Sequence, residues 1–300
     1  MDFPMANARE RFRGSIPALI TPMHDGQLDE PALRQLVAWQ IAEGSHGLVP
    51  CGTTGESPTL SSDEQRRVIE ICVAEAAGRV PVIAGAGSNA TAEAIARARR
   101  AKELGADAIL SVTGYYNKPS QEGLYHHFAT LAAEVDIPIF LYNIPSRAVV
   151  EIAVETAARL SRIDNIVGTK DATGHMTRPS LERLACGTAW RLLSGDDASA
   201  LGYMAHGGHG CISVTANVAP RLCAEFQEAC MLGDFRAARL LHERMMPLHE
   251  ALFCEPSPAP VKYAASLLGL CRNEIRAPMM PLTEAGQAKV REAMIAVGLL

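Results

Sequence analysis

The sequence is short of positive charge, and of lysine in particular. Its 28 basic residues are outnumbered by 33 acidic ones, which gives a formal net charge of −5. Proteins that bind nucleic acid through its phosphates normally carry a basic surface, so no nucleic-acid partner is expected. Only five of the basic residues are lysines, so each can be considered individually: Lys102, Lys118, Lys170, Lys262 and Lys289.

Signals for a membrane or for an oxidising compartment are also missing. No apolar stretch approaches the roughly 20 residues that cross a bilayer, so no membrane association is expected. The polar segment 1–13 lacks the apolar core of a signal peptide. The eight cysteines form no CxxC pair and lie among apolar neighbours, which is typical of buried free thiols. We therefore expect a cytoplasmic protein with reduced cysteines.

The clearest pattern present is a repeated alternation of strand and helix signals. Short runs that are apolar throughout are typical of parallel strands covered on both faces, and helical patterns fill the intervals between them. Eight such units predict an α/β fold, a TIM (β/α)8 barrel, and the absence of a G-x-G-x-x-G fingerprint after the first run disfavours a dinucleotide-binding sheet. The runs are 15–22, 46–52, 80–87, 108–114, 137–143, 166–172, 190–197 and 210–216.

After the eighth run the strand signal ends, and the rest of the chain is helical in pattern. Apolar residues share one helical face from Phe235 to Leu252, and further helices fit 260–269 and 283–297. Domain organisation is therefore predicted in three parts, which are an N-terminal extension at 1–13, the barrel at 14–232 and a helical C-terminal domain at 233–300.

Lys170 is the lysine whose position indicates chemistry. It ends the apolar run IVGTK, and in such barrels the active site lies at the carboxyl ends of the strands. Lys102, Lys262 and Lys289 fall in helices, where a solvated surface position is expected. A desolvated lysine amine is the nucleophile that forms an imine with a keto acid. The alternative is a structural lysine that pairs with Asp171 or another carboxylate.

Hydroxyl groups at other strand ends would serve the proton transfers of imine chemistry. Tyr142 ends the fifth run and is a candidate acid and base. A hydroxyl relay would help it, and Thr53 with Tyr115 or Tyr116 would supply one. Each tyrosine has the alternative of being a core or rim aromatic residue with a satisfied hydroxyl.

Groups that bind carboxylates are also placed at the strand ends, whereas metal ligands are not. The turn 52–57 (GTTGES) offers hydroxyl and N–H groups to one carboxylate, and Arg147 offers a bidentate clamp to another. No pair of histidines has a zinc spacing with Cys or acidic partners, so no metal site is predicted. Asp196 and Asp197 are expected to be solvated or to cap the following helix.

The same residues lie in motifs that resemble the dihydrodipicolinate synthase family, within the pyruvate-dependent aldolase superfamily that includes N-acetylneuraminate lyase. The resemblance runs from about residue 14 to residue 300. Its motifs fall in the expected order: GTTGES (52–57), YYNKPSQEGLY (115–125), LYNIPSR (141–147), GTKDATG (168–174), LLSGDDASAL (192–201), GGHGCISVTAN (207–217) and EPSPAPVK (255–262).

The resemblance implies a reaction and a role for each site residue. Pyruvate and L-aspartate 4-semialdehyde would condense to 4-hydroxy-tetrahydrodipicolinate, the first committed step of diaminopimelate and lysine biosynthesis, without a cofactor. A TIM barrel assembled as a homotetramer, a dimer of dimers, is implied. Lys170 would form the Schiff base with pyruvate and Tyr142 would donate and accept protons. The other implied roles are the proton relay (Thr53, and Tyr116 from the neighbouring subunit), substrate binding (Thr54, Gly195 and the main chain of Ile212) and the semialdehyde carboxylate (Arg147).

Two departures from the family pattern affect regulation and loop geometry. Gly114 replaces the proline that usually precedes the paired tyrosines, which loosens that loop. Some members bind lysine as a feedback inhibitor at the dimer interface, and three residues match that site: Asn89, Glu93 and Tyr115. Ser62 and Gln65 stand where those members carry histidines, so weak or absent inhibition is expected.

Three other functions are compatible with a barrel of this kind. An aldolase of the same superfamily that acts on sialic acid or another sugar acid would share the lysine and the tyrosine. A phosphate-binding isomerase would carry a glycine-rich loop after strands seven and eight, whereas the GGHG segment here precedes strand eight. A barrel that only binds a ligand would have no special need for Lys170.

Overall fold

The computed structural model describes residues 9–300, so residues 1–8 of the predicted extension lie outside the described part. Seven strands form one curled parallel sheet in the order β1-β9-β8-β7-β6-β5-β4, and β2 and β3 form a separate antiparallel pair. The strands are β1 (Gly14–Pro17), β2 (Met23–His24), β3 (Gln27–Leu28), β4 (Ile83–Gly85), β5 (Ala108–Val112), β6 (Ile139–Asn143), β7 (Ile166–Asp171), β8 (Arg191–Ser194) and β9 (Gly210–Ser213).

Helices connect and cover the strands, as the alternation predicted. They are α1 (Glu30–Ala42), α2 (Ser62–Ala76), α3 (Thr91–Glu103), α4 (Gln121–Glu134), α5 (Pro145–Ala148), α6 (Val154–Leu160), α7 (Arg178–Cys186), α8 (Ala200–Ala205), α9 (Pro220–Met231), α10 (Phe235–Ala251), α11 (Ala259–Leu267) and α12 (Glu284–Val297). Short 3-10 turns lie at Ser57–Thr59 and Thr215–Asn217. Among residues 9–300, no helix combines the length and the apolar character that crossing a membrane requires.

Seven of the eight predicted apolar runs overlap strands of the large sheet, and the run 46–52 does not form a regular strand. It contributes only single parallel bridges, Ala18 to Val49 and Leu48 to Val82. Pro50 has no N–H, and Cys51 takes a left-handed φ of 54°, so the chain leaves the extended conformation directly after the second bridge. The main chain of this segment still bonds both neighbours, since Leu48 N–H donates to Pro81 O and Val49 N–H donates to Pro17 O.

Local sequence signals explain where several helices begin and end. Ser61 and Glu64 form a reciprocal capping box at the start of α2. The hydroxyl of Ser120 accepts the Gly123 N–H at the start of α4. Gly44 and Gly105 follow α1 and α3 with positive φ, as glycines that end helices commonly do.

The interior of the curled sheet holds one apolar cluster, and its outer face holds another under the helices. Along β6, Phe140 and Tyr142 join the inner cluster, whereas Ile139 and Leu141 join the outer one. This alternation follows from the period of a strand. It places the end of β6, and with it Tyr142, at the inner mouth of the sheet.

Candidate active site

A cavity of about 390 Å³ opens at the carboxyl ends of β4, β5 and β6. Thr53, Tyr115, Tyr142 and Arg147 all line it, so the structure brings together four of the residues that the sequence singled out. Tyr116 does not line it. That residue is 90% exposed and has a left-handed φ of 70°.

Lys170 lies beside Tyr142 at the end of the sheet. The two residues are partners in the ladder between β6 and β7. The Lys170 side chain is 5% exposed, and its Nζ lies 4.1 Å from the centroid of the Tyr142 ring. Within residues 9–300 no carboxylate lies in ion-pair range of Lys170. A buried amine that is not neutralised by an acid is suited to nucleophilic attack on a carbonyl group.

The alternative pairing of Lys170 with Asp171 is wrong. Asp171 lies on the other face of β7, where its carboxylate is 3.7 Å from Arg178 and accepts hydrogen bonds from the N–H and hydroxyl of Thr173. Burial raises the pKa of Asp171 to about 6, against the opposing effect of the Arg178 guanidinium. Consecutive strand residues point to opposite faces, and this separates the lysine from its neighbour.

Gly195 provides the space that the Lys170 side chain occupies. A Cβ at this position would lie 2.9 Å from Lys170 Cε and 3.0 Å from the Ala172 Cβ. Real Cβ contacts are longer than this, so any side chain here would displace the lysine. The substrate-binding assignment of Gly195 stays a prediction, and the structure adds a steric reason for glycine at this position.

The turn 52–57 is held by side chains from distant segments. The Thr21 hydroxyl donates to Gly55 O at 2.7 Å. Glu56 is buried, with its Oε1 2.5 Å from the Nζ of Lys262. Thr54 is buried and directly precedes these two anchored residues, and Thr53 lines the cavity. The backbone that presents the two threonines is therefore fixed from outside the turn.

The expected surface position of Lys262 is wrong, because this lysine is 0% exposed. The residues before and after it in α11, Val261 and Tyr263, are also buried, so this part of the helix is not exposed to solvent. The sequence signal that was available is this apolar setting, in the segment PAPVKYAASL. Lys102, Lys118 and Lys289 are exposed, as predicted.

Arg147 and Arg97 place two guanidinium groups on the cavity wall. Arg147 is exposed on the short helix α5. Arg97 is on α3, borders the cavity and donates to Gly87 O at 3.1 Å. Its Nε also lies 2.7 Å from Glu93. The sequence shows that Arg97 follows Glu93 by one helical turn, but it does not show that the Arg97 side chain borders the cavity.

The predicted regulatory residues are close together at the edge of the same cavity. Asn89 Nδ2 donates to Tyr115 O at 3.2 Å, and Glu93 is paired with Arg97. Gln65 is buried, and its amide donates to Ser57 O at 3.0 Å. The Gln65 side chain therefore stabilises the neighbouring loop.

Asp197 differs from its expected solvated role. It is buried and accepts hydrogen bonds from the Ser213 hydroxyl at 2.5 Å and from the N–H groups of Val214 and Thr215 at 2.8 and 3.1 Å. It thereby fixes the chain directly after Ile212. Asp196 is half-buried and accepts the Ser199 N–H at 3.2 Å, but it lies before the N-cap of α8, which is Ser199.

Two further properties limit the chemistry of the cavity. Cys51 borders it, but burial raises the pKa of this thiol to about 12, so the thiolate form is disfavoured. Across the described residues, no cluster of three or more His, Cys, Asp or Glu side chains is arranged to hold a metal ion. Lys170 is not itself among the residues that line the cavity, but its Nζ lies over the ring of Tyr142, which is.

Known proteins are similar to this chain over nearly its whole length. The model of the dihydrodipicolinate synthetase family matches residues 11–297. The 4-hydroxy-tetrahydrodipicolinate synthase of Parvibaculum lavamentivorans is 62% identical over 289 residues, which are 96% of this chain and 99% of that protein.

Solved structures give the same result. Dihydrodipicolinate synthase from Aquifex aeolicus is 48% identical, with a TM-score of 0.94 over 96% of this chain and 99% of that chain. The chloride-inhibited enzyme from Acinetobacter baumannii in complex with pyruvate is 44% identical, with a TM-score of 0.94 over the same shares of the two chains. On the family match and on this extent of identity, the chain belongs to the dihydrodipicolinate synthetase family.

Proposed function

We propose that this protein condenses pyruvate with L-aspartate 4-semialdehyde to give 4-hydroxy-tetrahydrodipicolinate, as the names of its relatives indicate for them. The observation that carries the proposal is the Lys170 amine, which is buried beside Tyr142 without a carboxylate in ion-pair range among the described residues. An imine-forming aldolase needs such an amine, and a barrel that only binds a ligand does not.

In the first half of the proposed reaction, Lys170 Nζ attacks C2 of pyruvate. Tyr142 donates a proton to the carbinol oxygen, which leaves as water, and the imine forms. Loss of a proton from C3 then gives an enamine. Tyr142 is the acid and base nearest to Nζ, with Thr53 and a partner subunit's Tyr116 as the proton relay. Thr54, Gly195 and the main chain of Ile212 form the pocket for pyruvate.

In the second half, the enamine carbon attacks the aldehyde of the semialdehyde, and the new alkoxide takes up a proton. The amine of the added substrate then attacks the imine carbon, displaces Lys170 and closes the ring. Arg147, on the cavity wall, receives the carboxylate of the semialdehyde. The balance is one pyruvate and one semialdehyde to one cyclic product and one water, so no cofactor is consumed.

The quaternary structure and the closure of the sheet belong to the same proposal. The bridges of Leu48 and Val49 to segments on either side support a closed eight-stranded barrel. We place the domain boundary near residue 233, where α10 begins soon after. The exposed Tyr116, next in the chain to the cavity-lining Tyr115, supports a dimer in which each chain completes the site of the other, with the tetramer as a dimer of dimers.

The experiment is to treat the protein with pyruvate and borohydride and to map the adduct by mass spectrometry. We expect labelling at Lys170 only, with buried Lys262 as the internal control. Labelling elsewhere, or none, would overturn the imine. Product assays with pyruvate and aspartate semialdehyde, set against cleavage assays with sialic acid, separate the synthase from a sugar-acid aldolase.

Weak inhibition by lysine is proposed for the regulatory site. Gln65 is occupied by the neighbouring loop, and Glu93 is already paired with Arg97, so a bound lysine would have to displace that ion pair. A lysine titration of the purified protein tests this, and inhibition in the submillimolar range would contradict it.

A further inference from the structure

A buried ion pair ties the turn that carries Thr53 and Thr54 to the C-terminal helices. Lys262 Nζ lies 2.5 Å from Glu56 Oε1, although 206 residues separate the two in sequence. The same ammonium donates to Thr21 O at 3.0 Å. The second carboxylate oxygen of Glu56 accepts the N–H of Arg276 at 3.1 Å. One carboxylate and one ammonium thus join four segments of the chain.

The backbone at Glu56 is in a conformation that needs such support. Its φ and ψ are 57° and 33°, in the left-handed region that residues other than glycine rarely occupy. Its N–H donates to Thr53 O at 3.1 Å, and its carbonyl accepts the Thr59 N–H at 3.0 Å. A change at Glu56 would therefore be transmitted directly to Thr53 and Thr54.

A buried ion pair is seldom the most stable way to fill a protein interior. Both charges lose their hydration, and a well-packed apolar pair is often as stable or more so. What an ion pair with further hydrogen bonds supplies is a defined geometry, because each oxygen and each N–H must keep its partner. The position of this pair, behind the two threonines of the site, indicates what that geometry serves.

We propose that Glu56 and Lys262, together the turn clamp, position Thr53 and Thr54 for the reaction. Lys262 is then a positioning residue supplied by the C-terminal helices, and it acts through Glu56. This inference rests on the proposed function. Thr53 belongs to the proton relay and Thr54 to the pyruvate pocket, so loss of the clamp should lower kcat and raise the KM for pyruvate together.

The test compares Glu56→Gln, Lys262→Met and the double variant. We expect kcat/KM for pyruvate to fall by about 10- to 100-fold in each single variant, since a misplacement of about 1 Å costs up to 10²-fold. The double variant leaves no buried charge unpaired, so its loss should be no larger than that of the worse single variant. It also keeps the clamp testable if one single variant does not fold.

Leu248→Ala is the matched control, because it removes a fully buried side chain from α10, away from the turn. It should lower Tm and leave kcat and KM unchanged at a temperature well below the Tm of every variant. Clamp variants that behave like this control, with lower Tm but unaltered kcat and KM, would overturn the positioning role.

Amide hydrogen exchange over residues 52–59 provides a readout that does not depend on the reaction. Exchange in this segment should accelerate in the clamp variants and not in the Leu248 control, and unaltered exchange would contradict the clamp. If the unmodified protein does not condense the two proposed substrates, the proposed function fails. The exchange comparison then still decides whether the clamp holds the turn.

Discussion

Two lysines of this protein are buried, Lys170 and Lys262, and the groups around their amines differ. Lys262 is paired with Glu56 and is enclosed by the turn and the C-terminal helices. Lys170 is nearly as well buried, but it faces the ring of Tyr142 and, among residues 9–300, has no carboxylate in ion-pair range. A lysine with a carboxylate partner is fixed in place by it, whereas imine formation needs an amine that is not engaged by an acid. Burial alone therefore does not distinguish the two lysines, whereas their partners do.

The largest expected effect comes from Lys170. Lys170→Arg keeps a cation but removes the imine nucleophile, so we expect kcat to fall by at least about 10³-fold, as for other groups that take part in bond formation. Borohydride labelling with pyruvate should disappear as well. Lys102→Arg is the matched control, because Lys102 is exposed and pairs with the exposed Asp136. If the Lys170 variant kept activity close to that of the parent, the comparison between the two lysines would lose its basis.

Tyr142→Phe removes the hydroxyl of the tyrosine and keeps its ring, so it tests the two contributions separately. The ring that lies over Lys170 Nζ remains, whereas the proton donor is lost. We expect kcat to fall by about 10²-fold, the usual effect of removing a general acid or base. Tyr125→Phe serves as control, since Tyr125 is on α4 and stacks with Arg159 at 4.0 Å. Steady-state rates of both variants test this, and equal rates would assign Tyr142 a packing role only.

Gly195→Ala tests whether the position of Lys170 matters as well as its identity. The added Cβ would lie 2.9 Å from Lys170 Cε, so the amine must move while the nucleophile stays present. We expect the rate of imine trapping to fall by about tenfold, since small displacements of a reacting group are costly. In Gly123→Ala, the control on α4, the atom nearest to the added Cβ would be Pro119 Cβ, 3.2 Å away. A variant that traps pyruvate as fast as the parent would show that the lysine tolerates the shift.

Local patterns made part of this fold predictable from sequence. The apolar runs 137–143 and 166–172 predicted the strands β6 and β7, because a buried strand follows from a short continuous pattern. The capping box at Ser61 fixed the start of α2 for the same reason. The family resemblance added the identity of the implied substrates, which the residue types at the strand ends did not provide.

Features that depend on distant partners could not be predicted. The burial of Lys262 depends on Glu56, 206 residues earlier in the chain, and no local period relates the two. Asp197 was expected to be solvated or to cap a helix, but its carboxylate accepts hydrogen bonds from residues on and after β9, which no local pattern reveals. The run 46–52 has the composition of a strand, but Pro50 and the left-handed Cys51 limit it to single bridges.

His209 shows a third way to bury a base, which is to keep it neutral. Burial, reinforced by Arg191 and Arg183, lowers the pKa of His209 to about 4, and its Nδ1 accepts the Leu192 N–H at 3.1 Å. The folded pKa lies below the unfolded value of 6.5, so the unfolded chain binds the proton more tightly. The stabilisation is therefore complete above pH 6.5 and is lost as the pH falls from there towards 4.

His209→Asn should remove this pH dependence, because the asparagine oxygen can accept the same N–H and does not titrate. Relative to the variant, the parent should lose up to about 2 kcal/mol of unfolding free energy between pH 7 and pH 5, at roughly 1.4 kcal/mol per pKa unit. Urea unfolding at the two pH values measures the difference, with His126→Asn on the exposed face of α4 as control. Equal losses in the parent and in the His209 variant would mean that this imidazole does not cause the pH dependence. Lys262, which is paired with Glu56, would then remain the example of a buried basic group in this comparison.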